Sequence, residues 1–406
     1  MIRLIEFLAM LIVIPISSAQ IENTYYKTIP NKSFSNAGIS YIPIGEGFRN
    51  PNSAWGSIGI TNDGLVYTIA CDHITDAALY EYDTKTDKLS FGGSLKVLLH
   101  NRFHAQRQPK VHTPLLQYQK NGLVYFGTDA GDESEGALYG HFDEGYAGGH
   151  LLTLDTKTKE VRNLGLANRF GGLKSLVLDA KNGALYFTVS PNCNLYRYLI
   201  DKDELSNLGR INGSSVVRSL FMDKWNNVYG TTETGSLVRY NVNKDSMEYL
   251  DAAPFGAPNT GSSQVVYGAD MSYVIGFNAY SGQLSKYTAD SAGSGKVEEL
   301  GLLFTEKKVM CRNLNIVGNK LVALCTSVEE VPLKERFRFL TVFDIKEKKE
   351  VKRIEIDSHI HQAYGHPVMD KKGNIYICGF WDASDYDLPA DVKSRVFLIK
   401  IPAKVL

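Results

Sequence analysis

His150, in "GYAGGHLLTLDTKTKEV", stands between a flexible Gly-Gly pair and an apolar run, a setting in which an imidazole can move a proton, ligate a metal or contact an anion. A second imidazole, His112, opens the run "HTPLLQ". Comparable positions along the chain are Trp55 ("WGSIGI"), Lys174 ("KSLVLD"), Arg218 ("RSLFMD"), Gln264 ("QVVYGA"), Arg312 ("RNLNIV") and His366 ("HPVMDK"). Five of these seven aligned positions, His112 included, are basic or imidazole, in a chain whose formal net charge is +0. Guanidinium and ammonium groups pair with carboxylate or sulfate, and an indole stacks on a sugar face, so the set suits an anionic, hydroxyl-rich ligand. Long cationic side chains also commonly reach water at strand ends, which explains any one position but not the whole set.

The elements that must position these residues are repeats. Seven copies of a polar turn followed by a short β run read "NDGLVYTIA", "KNGLVYFGT", "KNGALYFTV", "KWNNVYGTT", "DMSYVIGFN", "VGNKLVALC" and "KKGNIYICG". Each is followed by a further strand such as "ALYEYDTKTDKL" or "RFLTVFDIKEKKEV". β-Branched and aromatic residues alternating between Gly/Asn/Asp turns predict antiparallel meanders. Units of roughly 45 to 60 residues that cannot bury both faces alone pack radially, which predicts an all-β fold, a seven-bladed β-propeller. Open solenoids use shorter, more uniform repeats and fit less well. The last repeat stops after its third strand, so residues around "IENTYYKTI" are expected to supply the outer strand that closes the ring.

In such a ring the first strand of each blade lines the channel, and the loop joining second to third strands opens on the rim where that first strand begins. The longest such loop before blade seven is "TDAGDESEGALYGHFDEGYAGG", and "WDASDYDLPADVKS" is the next. Long loops on one face of a rigid scaffold are where sites are built. His150 follows the longer loop and is expected to face the rim that carries His112. Asp129, Asp132, Glu133 and Glu135 of that loop offer carboxylates for Ca²⁺, without EF-hand spacing, and a solvated acidic loop is the simpler reading.

The first residues, "MIRLIEFLAMLIVIPISSAQ", place Arg3 before an apolar run and small residues Ser17 and Ala19 at a cleavage position. This pattern predicts a signal peptide over 1–19, a single domain over 20–406, and a secreted protein, extracellular or periplasmic, with no membrane segment after cleavage. The apolar run is too short for a membrane anchor. A basic nucleic-acid footprint is absent. Five cysteines in an oxidising compartment leave an odd thiol. Cys311 and Cys325 fall nearly opposite one another in a predicted hairpin of blade six; Cys378 reads as the counterpart of Cys325 in blade seven, with His361 just upstream. A Cys311–Cys325 disulfide and a tetrahedral zinc site on Cys311, Cys325, Cys378 and His361 are both open.

The run "KVHTP…NGLVYFGT…GGHLLTLDTKTKEV", with its echoes in every blade, resembles the secreted seven-bladed propeller polysaccharide lyases, notably those acting on ulvan. The resemblance implies β-elimination of a uronic-acid-containing polysaccharide in a canyon across the propeller face. It implies a bound structural metal, zinc or calcium here, and no organic cofactor. On it His112 and His150 match a histidine pair, Arg218 the arginine facing the uronate carboxylate, and Tyr196 the tyrosine base and acid, with Tyr146 in the blade-two loop another candidate. Trp55, Lys174, Gln264, Arg312, His366 and Tyr146 are then expected to bind an acidic polysaccharide, with the protein acting as a monomer. A propeller lacking the base would remain a glycan-binding or protein-binding module.

Overall fold

The computed structural model describes residues 26–49, 51–73, 75–99, 108–129, 148–211, 220–256, 265–292, 294–328, 330–332, 335–356, 360–381 and 394–406. They form seven antiparallel sheets of four or five strands. Blade two is representative. Its inner strand is split into Lys110–Val111 and Leu116–Gln117, followed outward by Leu123–Asp129, His150–Asp155 and Val161–Leu166. The period of two along each strand sends alternate residues to opposite neighbours. In Leu123–Asp129, Val124 and Phe126 pack toward blade one and Tyr125 toward blade three. Seven apolar clusters result, one at each interface between successive blades, with the last joining blades seven and one.

Short turns hold the register. Asp223 and Asp370 each accept backbone N–H groups within the turn from first to second strand, and each also takes an Asn amide and a Tyr hydroxyl, Asn227 and Tyr229 in one case and Asn374 and Tyr376 in the other. These are Asx-type turns, in which a carboxylate replaces missing backbone acceptors. Third-strand tyrosines Tyr82, Tyr198 and Tyr240 donate to Asp87, Asp203 and Asp245 of the next turn.

The ring closes with an N-terminal strand, but a later one than expected. Ile39–Pro43 pairs with Val396–Ile401 as the fourth strand of blade seven, and Phe34–Asn36 adds outside it. From "IENTYYKTI", Lys27–Ile29 instead pairs with Lys88–Ser94 as a fifth strand of blade one. The difference follows from apolar content: Ile39, Tyr41 and Ile42 are all fully buried, whereas Lys27–Ile29 buries Ile29 alone. The inner strands of blades seven and one touch through glycines. A Cβ on Gly365 would stand 2.1 Å from Gly56 Cα, and both residues have positive φ. Gly365→Ala is therefore expected to lower unfolding free energy by about 2–3 kcal/mol, read as a fall in the urea midpoint. An unchanged midpoint would contradict the close approach.

Candidate functional site

Inner strands are interrupted where they reach the mouth of the ring. Blade two breaks between Val111 and Leu116, blade six between Cys311 and Asn315, and blades three and seven shift register at Lys174 and at Gly365–Pro367. A break costs ladder hydrogen bonds, and in blades two, three and six a polar side chain beside it restores contact with the second strand. Thr113 Oγ1 accepts from Gly127 N at 2.8 Å, Ser175 Oγ lies 2.7 Å from Thr188 Oγ1, and Asn313 bonds both N and O of Leu324 at 2.8 Å. Ser57 does the same in blade one, donating to Ile69 O at 3.0 Å. The residues immediately before Thr113, Ser175 and Asn313 are His112, Lys174 and Arg312, which therefore occupy equivalent positions. In blade one the equivalent residue is Gly56, and Trp55 lies one earlier because the Gly56–Gly365 contact leaves no space for a side chain.

Asp129, the last residue of blade two's second strand, joins two of the expected rim residues. Its Oδ2 lies 2.5 Å from Lys174 Nζ and 3.3 Å from His112 Nε2, and all three side chains are buried. Lys174 and His112 thus sit beneath the mouth as partners of a carboxylate rather than at its open surface. Gly172 provides the space, since a Cβ there would fall 1.6 Å from Asp129 Oδ1. A carboxylate withdrawn from water holds its charge only against such partners.

Above this pair lies Trp55, partly exposed. Its ring centroid is 5.8 Å from that of His112, 5.4 Å from Tyr364 and 5.5 Å from Phe380, and Lys110 Nζ stands 4.8 Å over its ring. Arg312 continues the arc from blade six. Its guanidinium lies 5.6 Å from the Tyr364 ring centroid and donates to Gln362 Oε1 at 2.9 Å. Cation and ring attract in both contacts through the ring quadrupole. The described arc runs from Arg312 through Tyr364 and Trp55 to His112, Asp129 and Lys174, spanning blades six, seven, one, two and three.

His73 belongs to this arc and has no counterpart among the sequence-derived site residues. It lies in blade one's loop between second and third strands with φ of 65°, a conformation uncommon for a residue with a side chain. The Trp55 indole donates to its Nε2 at 2.7 Å, with Ser53 Oγ 3.2 Å away. An indole can only donate, so this contact places the imidazole proton on Nδ1. Its signal in the sequence is its place in the loop between second and third strands, the loop that His150 follows in blade two.

Other expected site residues fall elsewhere. His150 is buried, and its Nδ1 lies 3.1 Å from Asn163 Oδ1 on the outermost strand of blade two. One strand, Leu123–Asp129, lies between its own strand and the inner strand, which sets their backbones roughly 10 Å apart. Burial holds its pKa below the ordinary histidine value, against the opposing effect of Asn163. Tyr196 packs in the core between blades two and three, stacked on Phe187 at 5.6 Å, with Asn207 Nδ2 donating to its hydroxyl at 3.4 Å. Burial raises its pKa, the wrong direction for a base. Arg218, Gln264 and Tyr146 lie outside the described residues, as does the side chain of His361.

The three thiols of the expected zinc set do not converge. Cys311 and Cys325 lie between blades five and six, while Cys378 lies between blades seven and one, 3.0 Å from Thr68 Oγ1. Cys378 is the structural counterpart of Leu324, not Cys325, and a one-residue offset sends a strand side chain to the opposite face. Among the described residues no group of three or more His, Cys, Asp or Glu is arranged to hold a metal ion.

The fold and its mouth define a class: the chain is a seven-bladed β-propeller. No protein-family model matches it, and no curated protein does. It is similar in structure to the RRP9 WD40 repeats, with a TM-score of 0.57 and 10% identity over 92% of this chain and 99% of that one. A chain of a nidogen/laminin complex matches with a TM-score of 0.43 and 13% identity, over 75% of this chain and 93% of that one. At 10% identity the likeness to the RRP9 repeats concerns the fold alone.

Two outcomes follow from the charges. Asp129→Ala leaves Lys174 and His112 buried without their carboxylate and is expected to cost about 3–5 kcal/mol of stability, measured by chemical denaturation. A change under ~1 kcal/mol would contradict the pairing. His366 keeps partial solvent access but is enclosed enough that burial pushes its pKa down to about 4. The unfolded chain takes up this proton near the ordinary value of 6.5, the folded chain only near 4. Stability is therefore expected to fall as pH drops through that window, and His366→Gln to shallow the fall. Identical pH profiles for the two proteins would contradict the assignment.

Proposed function

We propose that the propeller binds an acidic, hydroxyl-rich carbohydrate at its mouth, with Trp55 as the platform under a sugar face. The observation that carries this reading is the setting of Trp55, a partly exposed indole fixed by His73, backed by His112 and Lys110, and flanked through Tyr364 by Arg312. Stacking supplies apolar contact, and the Arg312 fork supplies bidentate pairing to a uronate carboxylate or a sulfate. The leader-like sequence over 1–19 supports export, which would place the protein where such polymers occur.

Binding is the reading we favour over turnover. β-Elimination needs a base, a cation neutralising the carboxylate and donors for the developing negative charge in one place. Of the described residues matched to the ulvan-lyase resemblance, His112, His150 and Tyr196, only His112 stands in the arc. His150 bonds toward the outermost strand, and Tyr196 is a packing residue.

The test is titration calorimetry with uronate and sulfated oligosaccharides beside neutral ones, together with ultraviolet absorbance for the double bond that elimination creates. Binding of acidic oligosaccharides is expected without new absorbance, and Trp55→Ala is expected to weaken it on the order of 30-fold. No binding across the panel by folded protein, or equal binding by Trp55→Ala, would overturn the proposal. New absorbance would restore the lyase reading.

A further inference from the structure

Cys311 and Cys325 stand directly opposite one another on the first and second strands of blade six. The backbone N–H of Cys311 donates to Ala279 O of blade five at 3.0 Å, so the Cys311–Cys325 pair is of the non-hydrogen-bonded kind. In such pairs the Cα atoms approach to about 4.5 Å, within the ~4.4–6.8 Å that a disulfide bridges. Both thiols point into the same core, with Leu321, Ala323 and Phe339, and in the thiol form Cys311 Sγ donates to Asn313 O at 3.0 Å. The remaining cysteines have separate settings. Cys71 lies beside Ser53, Cys193 donates to Pro191 O at 3.4 Å, and Cys378 lies beside Thr68. Cys378 lies at another blade interface and is not a third ligand for this pair, and two thiols facing each other across a strand pair can be joined by a two-electron oxidation.

We propose that Cys311 and Cys325 form a cross-strand disulfide, and that this bond fixes the kink from which Arg312 is aimed. Arg312 follows Cys311 directly, and Asn313 holds the broken strand to Leu324 through two side-chain hydrogen bonds. A covalent tie one residue before the break limits how far the two strands can part. Formation removes one proton and one electron from each thiol and creates one S–S bond. The two electrons and two protons pass to a disulfide oxidant such as oxidised glutathione, which leaves as two thiols. Both thiols are buried in the folded blade, and burial raises the Cys325 pKa well above its ordinary value. Oxidation therefore belongs to folding, before blade six closes.

The experiment refolds the reduced, denatured full chain in a glutathione redox buffer, blocks free thiols under denaturing conditions and maps the blocked peptides by mass spectrometry. Three blocked cysteines are expected, Cys71, Cys193 and Cys378, with the Cys311 and Cys325 peptides linked until reductant is added. Five blocked cysteines in the folded product, or links to other cysteines, would overturn the proposal. Amide exchange at Leu324, compared between the oxidised and the reduced folded protein, tests the second part. Exchange several-fold slower in the oxidised form is expected, and equal rates would refute the link between the bond and the kink.

Discussion

The mouth of this propeller is organised by one carboxylate. Asp129 is wholly buried, and it stands at the end of a strand whose neighbours are a lysine from the next blade and a histidine from its own inner strand. Removing such a group from water is costly, so the geometry that surrounds it is constrained. Gly172 must lack a side chain, Lys174 must turn inward, and His112 must present a ring nitrogen. Trp55 then rests on His112, and the aromatic and cationic arc extends from there to Arg312. The site is a surface held up by a buried ion pair.

This arrangement changes the meaning of the cationic ring. Seven aligned positions suggested a row of donors facing a ligand, but two of them, His112 and Lys174, are directed at Asp129. Among the described members the partly exposed ones are Trp55, Arg312 and His366, joined by His73. Among the described residues the mouth presents an aromatic platform with cations beside and beneath it.

The fold was legible because the repeat is written in turn residues and in alternation, both of which are local. The closing strand was misplaced because two N-terminal segments have β character, and the choice between them rests on how much apolar surface each buries. Site details were lost through single-residue offsets. Gly56 shifts Trp55 by one position, and Cys378 matches Leu324 rather than Cys325, which sends its thiol to the other side of the blade. Asp129 was visible only as one acid in an acidic loop, since its lysine partner is on a different blade. His73 lies in the same kind of loop as that preceding His150, but a much shorter one, so loop length carries no signal for it.

The most direct measurement of the central claim is a crystal structure of the protein with a uronate oligosaccharide. A sugar ring stacked on Trp55, with its carboxylate at the Arg312 guanidinium, is the predicted result. A ligand seated elsewhere on the propeller, or a mouth that stays empty at saturating oligosaccharide, would contradict it.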